Sequence, residues 1–264
     1  MREGRPPRRG PHQHPPPRLD LDDVIYGIHA VSEALVANET LRRIHIGEER
    51  ARDTALRPLL DRAREAGIQV RFERREFFVP FPYKAHQSVI AFGMPFVYTT
   101  LEEAIALRPQ GKPGLWVVLD HVTDPHNVGA IMRTAEAAGA SALIIPERRA
   151  AGVNATVRKA AAGAAAHLPV ARISNVAGAL RTMKKARIWI AGAALGEGAV
   201  PYTTADFDRD IAIVIGAEGT GISQVVRREC DYVVEIPMAG KIASLNASVA
   251  AGILLFEVIR QRAP

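Results

Sequence analysis

Apolar and polar positions alternate in two different rhythms along the chain. Between Tyr26 and about Phe92 short helical and extended patterns take turns. Residues 27–37 set Ile28, Val31, Ala34 and Leu35 on one helical face. Residues 54–66 are amphipathic and stop at Gly67, a residue type typical just past a helix C-terminus. Residues 43–46, 68–72 and 88–92 read as strands. From residue 115 the rhythm changes to unbroken apolar runs at 115–119, 142–145, 168–171, 188–191, 211–215 and 232–236. Helical patterns at 128–138, 175–185, 222–228 and 247–261 separate or follow them. Strands without alternation are buried on both faces, so the expected fold is α/β, with a mostly parallel sheet covered on both sides by helices. The expected divisions are a tail at 1–20, a small α/β unit at 21–94, a linker at 95–114 and a larger sheet domain at 115–264. The linker holds Pro95, Pro109, Gly111, Pro113 and Gly114 around one short helix.

Charge changes the picture at one end. The 264 residues carry a net charge of +6, and within residues 1–18 Arg2, Arg5, Arg8, Arg9 and Arg18 oppose only Glu3. A basic arm on a near-neutral body predicts polyanion binding, although a solvated tail that only aids solubility has the same composition. Its prolines and lack of apolar side chains leave too little burial to offset ordering entropy, so the tail is expected to be disordered. The single cysteine, Cys230, excludes an intramolecular disulfide and reads as a packed thiol in a reducing cytosol. No apolar stretch reaches the roughly 20 residues of a membrane-spanning helix, and the N-terminus lacks the apolar core of a secretory signal. The expectation is a cytoplasmic protein with no membrane partner. Eight scattered histidines and a lone cysteine predict no metal site.

Ligands of open α/β sheets bind beyond the carboxyl ends of the strands, and three loops at such ends stand out. The first reads Asp120-His-Val-Thr-Asp-Pro-His-Asn127, with Asn127 where a helix N-cap belongs and Arg133 within the helix that follows. A solvated surface arginine would look the same. The second reads Gly216-Ala-Glu-Gly219-Thr-Gly221, where glycines let backbone approach a ligand and offer amide donors. No Lys-Ser/Thr pair follows, and Glu218 disfavours a phosphate, so a neutral or cationic ligand fits better; a tight connection with no ligand remains open. The third runs from Pro237 through Gly240, Ser244 and Asn246 into a long apolar helix. Capping accounts for one of its polar residues but not for the whole glycine-rich approach. A class I methyltransferase or dinucleotide enzyme needs its glycine loop after the first strand and an acid about 20 residues later. Neither is present.

Together the loops are more specific than any one. Asp124-Pro-His-Asn-Val-Gly-Ala-Ile-Met-Arg133-Thr-Ala, Ile215-Gly-Ala-Glu-Gly-Thr-Gly and Ile236-Pro-Met-Ala-Gly with Ser244-Leu-Asn-Ala-Ser resemble the three ordered motifs of SpoU RNA 2′-O-methyltransferases. Tyr26-Gly-Ile-His-Ala-Val and Ala85-His-Gln are similar to the substrate-binding domain of the 23S rRNA guanosine 2′-O-methyltransferases. The resemblance spans about residues 24–262.

It implies a C-terminal part tied in a trefoil knot, against the general rule that chains do not thread loops. It also implies S-adenosylmethionine as methyl donor, held mainly by backbone at Gly216, Gly221, Ile236, Met238 and Leu245. Asn127, Arg133, Glu218, Ser244 and Asn246 would form the catalytic set, on a ribose of 23S rRNA. Arg133 as literal base is hard to accept, since a guanidinium stays protonated; clamping phosphate and ribose beside a developing alkoxide is the safer role. A homodimer through the knotted domain is implied, and Ile253, Phe256 and Ile259 in the last helix suit either an interface or a core. Residues 163–167 lack an acid that some relatives carry there, and Ala247 stands where relatives often have Val. Two alternatives remain: a tRNA ribose as substrate, or a silent RNA-binding protein of the same fold.

Overall fold

The computed structural model describes residues 24–38, 40–81, 86–93, 96–240 and 244–263. The basic tail and its expected disorder lie outside them. In the front unit β1 (Val24–Tyr26), β2 (Leu41–Gly47), β3 (Val70–Glu73) and β4 (Val89–Gly93) form a sheet in the order β1-β4-β2-β3. Only β2 and β3 are parallel. Alternation decides what each face meets. Ile44, Ile46, Val89 and Ala91 pack against α1 (Ile28–Val36) and α2 (Arg57–Glu65), while Ile90 and Phe92 meet Phe77, Phe78 and Phe81. Gly67, at φ +67, follows α2 in the left-handed conformation expected after a helix end.

After α3 (Leu101–Ala106), closed by a Thr100–Glu103 capping box, the chain builds a second sheet. Its strands are β5 (Leu115–Asp120), β6 (Ala142–Pro146), β7 (Val170–Ile173), β8 (Trp189–Ala193), β9 (Ala199–Pro201), β10 (Ile211–Gly216) and β11 (Tyr232–Glu235). They lie in the order β7-β6-β5-β10-β8-β11-β9, and every pair is parallel. Leu115, Val117 and Leu119 pack with α4 (Pro125–Ala137), α5 (Ala155–Ala161) and α8 (Ala247–Arg262). Trp116 and Val118 face the other way, toward α3, α6 (Val176–Lys185) and α7 (Gln224–Glu229). Both faces are dry, which is why these strands read as unbroken apolar runs.

Three details differ from the pattern. Helix α4 starts earlier than expected, because Asp124 caps it by accepting from His126 N at 2.8 Å and Pro125 occupies the first turn. Asn127 is therefore inside the helix, not its cap. The three-residue strands β1 and β9 are too short to show a period. Helix α5 escapes because its alanines carry no apolar rhythm; Asn154, which accepts from Val157 N at 3.0 Å, is its visible start signal.

The two units meet at α5. Ala155 packs among Val24, Tyr26, Phe78 and Phe81, and Tyr26 Oη lies 3.2 Å from Thr156 Oγ1. A Cβ on Gly163 would sit 2.4 Å from Glu33 Cγ, so only glycine allows this approach. Glu33 also lies 3.8 Å from His167 Nε2. The 163–167 stretch, itself without an acid, thus borders a carboxylate from the front unit.

Candidate functional site

Parallel strands deliver all their carboxyl ends to one edge, and β5 and β10 finish side by side, Gly216 paired with Asp120. Asn127 is buried in the first turn of α4 and donates from Nδ2 to Glu218 Oε1 at 2.9 Å. Its Oδ1 accepts from Asn246 Nδ2 at 2.9 Å, and the same amide donates to Glu218. Asn246 in turn caps α8, its Oδ1 accepting from Ser248 N at 2.9 Å and Val249 N at 3.3 Å. One closed polar cluster therefore joins the three loops. Each amide is fixed by what its other end binds, which leaves little freedom to reorient. Ser244 does not join it; it lines the neighbouring cavity beside Leu245. Arg133 lies one turn beyond Gly129, whose missing side chain lets α4 approach Val157 and Ala160 of α5. Its guanidinium is exposed and has no hydrogen bond or ion pair among the described residues.

The glycine loop is a tight turn. Gly221 N donates to Ala217 O at 2.9 Å, and Gly219 and Gly221 take φ +78 and +65, which side chains disfavour. A Cβ on Gly216 would lie 2.0 Å from the carbonyl carbon of Gly221. The loop exit is held by a residue the sequence reading passed over. Asp120, fully buried, accepts from Ser223 N at 2.6 Å through Oδ2 and contacts His121 Nδ1 at 2.5 Å through Oδ1. An acid ending an otherwise apolar buried strand was the available signal.

Behind this turn a cavity of about 420 Å³ is lined by Gly216, Gly221, Ile236, Met238 and Leu245, all five of the expected donor-binding residues. Its size falls in the range of small-molecule sites. Glu218 and Glu235 line it too. Arg227, the only basic lining residue among those described, donates to Leu195 O at 3.1 Å and Glu197 O at 2.5 Å. With that cation engaged by carbonyls and two carboxylates present, the cavity suits a ligand bearing positive charge. Beneath it Cys230 packs against Ile222 and Gly192; burial, with help from Asp231, pushes its thiol up to about 12. A larger cavity of about 670 Å³ between the units, near Phe96, Tyr98 and His167, contains none of the expected site residues. His86 is buried against Phe78, accepting from Ser88 N at 2.8 Å, and Gln87 Oε1 accepts from Ile28 N at 3.2 Å. These two residues hold a turn of the front unit. Among the described residues no helix is long and apolar enough to cross a membrane, and no group of three His, Cys, Asp or Glu side chains could hold a metal.

Residues 114–256 match the model of the SpoU rRNA methylase family, and residues 24–94 match that of the RNA 2′-O ribose methyltransferase substrate-binding domain. The chain belongs to the SpoU rRNA methylase family. That membership makes it an RNA 2′-O-methyltransferase, in a family that uses S-adenosylmethionine. A putative TrmH family tRNA/rRNA methyltransferase of Bacillus subtilis, YacO, is 37% identical over 92% of this chain and 97% of its own length. The 23S rRNA (guanosine-2′-O-)-methyltransferase RlmB of Salmonella typhimurium is 40% identical over 92% of this chain and 100% of its own. Among solved structures, the SpoU methyltransferase AviRb of Streptomyces viridochromogenes with AdoMet aligns at a TM-score of 0.77 and 27% identity, over 90% of this chain and 89% of that one.

Proposed function

We propose that this protein methylates the ribose 2′-hydroxyl of a guanosine in 23S rRNA, working as a cytoplasmic homodimer. The observation that carries the reading is the closed Asn127–Glu218–Asn246 cluster beside a carboxylate-lined cavity, with Arg133, which has no hydrogen bond or ion pair among the described residues, further along the helix that holds Asn127. The relatives named as 23S rRNA methyltransferases favour rRNA over tRNA. They match the front unit as well as the sheet domain.

When bound, S-adenosylmethionine supplies an electrophilic methyl group on a sulfonium. Gly216, Gly221, Ile236, Met238 and Leu245 would hold it through backbone and apolar contact, and Glu218 would face its positive charge. Asn127 and Asn246 keep the Glu218 carboxylate in one orientation. Ser244, an exposed residue that lines the cavity, orients the ribose. Arg133, always charged, grips the substrate phosphate and steadies the negative charge that develops on the ribose oxygen as its proton passes to solvent water. Holding hydroxyl and methyl in line supplies much of the rate.

Helix α8 favours the homodimer. Leu254 and Val258 are buried in the sheet domain, while Val249, Phe256 and Ile259 are exposed on the opposite stripe, Phe256 to 52%. Apolar side chains at such spacing on the outside of a helix suit a second copy of the chain. The knotted path follows from family membership, and the order that sets β8 between β10 and β11 is compatible with it. The same reading keeps the divisions at 1–20, 21–94, 95–114 and 115–264.

The test is transfer of labelled methyl to 23S rRNA and tRNA transcripts by the purified protein. Label in 23S rRNA, on ribose, is expected. Label entering only tRNA would replace this substrate with the alternative. RNA binding with no transfer, unchanged by Arg133→Ala, would make the protein a silent binder.

A further inference from the structure

Strand order separates two sides of the reaction site. The donor cavity is built from β8, β10 and β11, all on one side of β5. On the other side of β5 lies β6, one strand spacing or roughly 5 Å away, and its C-terminal turn borders the first loop. RNA presenting its ribose to the donor must therefore lie over the β5–β6 side.

The turn after β6 carries Glu147, Arg148 and Arg149, with all three side chains exposed. Both arms of the turn are fixed. Glu147 N donates to Ile173 O at 2.8 Å, and Ala151 N donates to Val122 O at 3.1 Å, in the loop that leads through Asp124 into α4 and Asn127. Val153 is buried in the main core, and its N–H donates to Tyr98 Oη at 2.8 Å. Arg149 takes φ +56, a left-handed conformation unfavourable for a long side chain. Neither guanidinium has a hydrogen bond or ion pair among the described residues. Some exposed arginines are held by carboxylates, as Arg181 is by Glu229 and Arg260 by Glu257; what sets Arg148 and Arg149 apart is their place on a tied turn next to the first loop. A rigid turn that offers two free guanidiniums beside the ribose site fits an anionic backbone, because arginine binds phosphate oxygens through paired N–H groups.

We propose that Arg148 and Arg149 grip the RNA phosphates next to the methylated ribose, from the side of the site opposite the donor. This rests on the RNA-methyltransferase reading and adds a substrate-binding element to it. The turn sets where the strand runs; it takes no part in the chemistry.

The experiment measures RNA binding against salt for the full-length protein, with a 23S rRNA transcript and a tRNA transcript in parallel. The variants are Arg148→Ala with Arg149→Gly, which removes both charges and suits the left-handed position, and Arg148→Lys with Arg149→Lys. Each phosphate contact to single-stranded RNA adds about 0.7 to the slope of log K against log salt. The Ala/Gly variant should lose about 1.4 of that slope, with RNA affinity down roughly tenfold at moderate salt. S-adenosylmethionine affinity and thermal unfolding should stay as in wild type. The Lys/Lys variant should keep most of the slope, as a structural role for the turn would not require. An unchanged slope in the Ala/Gly variant overturns the proposal, as does an equal loss in the Lys/Lys variant. If wild type methylates tRNA and not 23S rRNA, the substrate reading fails while the tRNA slope still tests the arginines.

Discussion

The proposed donor side and the proposed ribose side of the site are built from different materials. Around the cavity the contributors are glycines, small or apolar residues and backbone, at Gly216, Gly221, Ile236, Met238 and Leu245. On the side proposed for the ribose they are side chains: Asn127, Glu218 and Asn246 locked together, and Arg133 without a hydrogen bond or ion pair among the described residues. A backbone-lined cavity gains its fit from the path of the chain, so no single functional group dominates it. The polar cluster depends on a few atoms in fixed places. Changes on the two sides should therefore separate donor binding from reaction rate.

The largest effect is expected at Arg133. Arg133→Ala should lower single-turnover methyl transfer by ~10²–10³, as losing one group aimed at developing charge does, with donor affinity unchanged. Rapid-quench kinetics and calorimetry on the same preparation check both halves. If donor affinity and rate fall together, the two sides are one. Next is Gly216→Ala, whose new methyl would meet Gly221 backbone at 2.0 Å. Overpacking costs about 1–3 kcal/mol, so donor Kd should rise roughly ten- to hundredfold, with a smaller change in the rate at saturating donor.

Asp120 sharpens the comparison, because it sits on the ribose-side strand yet holds the donor-side loop through Ser223 N. Asp120→Ala leaves that buried N–H without an acceptor, a cost of about 1–3 kcal/mol shared between stability and loop position. Donor binding should weaken severalfold, and Asp120→Asn, whose amide oxygen still accepts, should restore most of it. Equal losses in both variants would instead point to the carboxylate charge. The smallest effect is at Cys230. Only thiolate is alkylated, and with the thiol pushed up to about 12 the folded protein should react far more slowly at pH 8 than the unfolded chain. Donor binding should slow it no further; fast labelling of the folded protein would mean that the floor of the cavity opens.

The same contrast explains what the sequence disclosed. The parallel sheet was legible because β5, β6 and β10 are buried on both faces and so appear as apolar runs. The five cavity residues were found through family resemblance and glycine spacing; composition alone left the loop's purpose open. The polar cluster was visible as residues but not as a cluster, since Asn127, Glu218 and Asn246 are far apart in the chain and only the strand order unites them. Asn127 looked like a cap because Asp124-Pro125, the true start, lies so close before it. Ser244 was grouped with the polar set but faces the cavity. Asp120 was hidden by its neighbours, as its role depends on a hydrogen bond to a residue on a different strand's loop. The apolar residues of α8 could be sorted into core and surface only once the helix was docked.

Mapping ribose 2′-O-methylation across 23S rRNA and tRNA from cells lacking this gene tests the central claim most directly. One guanosine of 23S rRNA should lose its methyl group, and the wild-type gene, but not the Arg133→Ala gene, should restore it. An intact 23S methylation pattern alongside a tRNA ribose that has lost its methyl group would contradict the account.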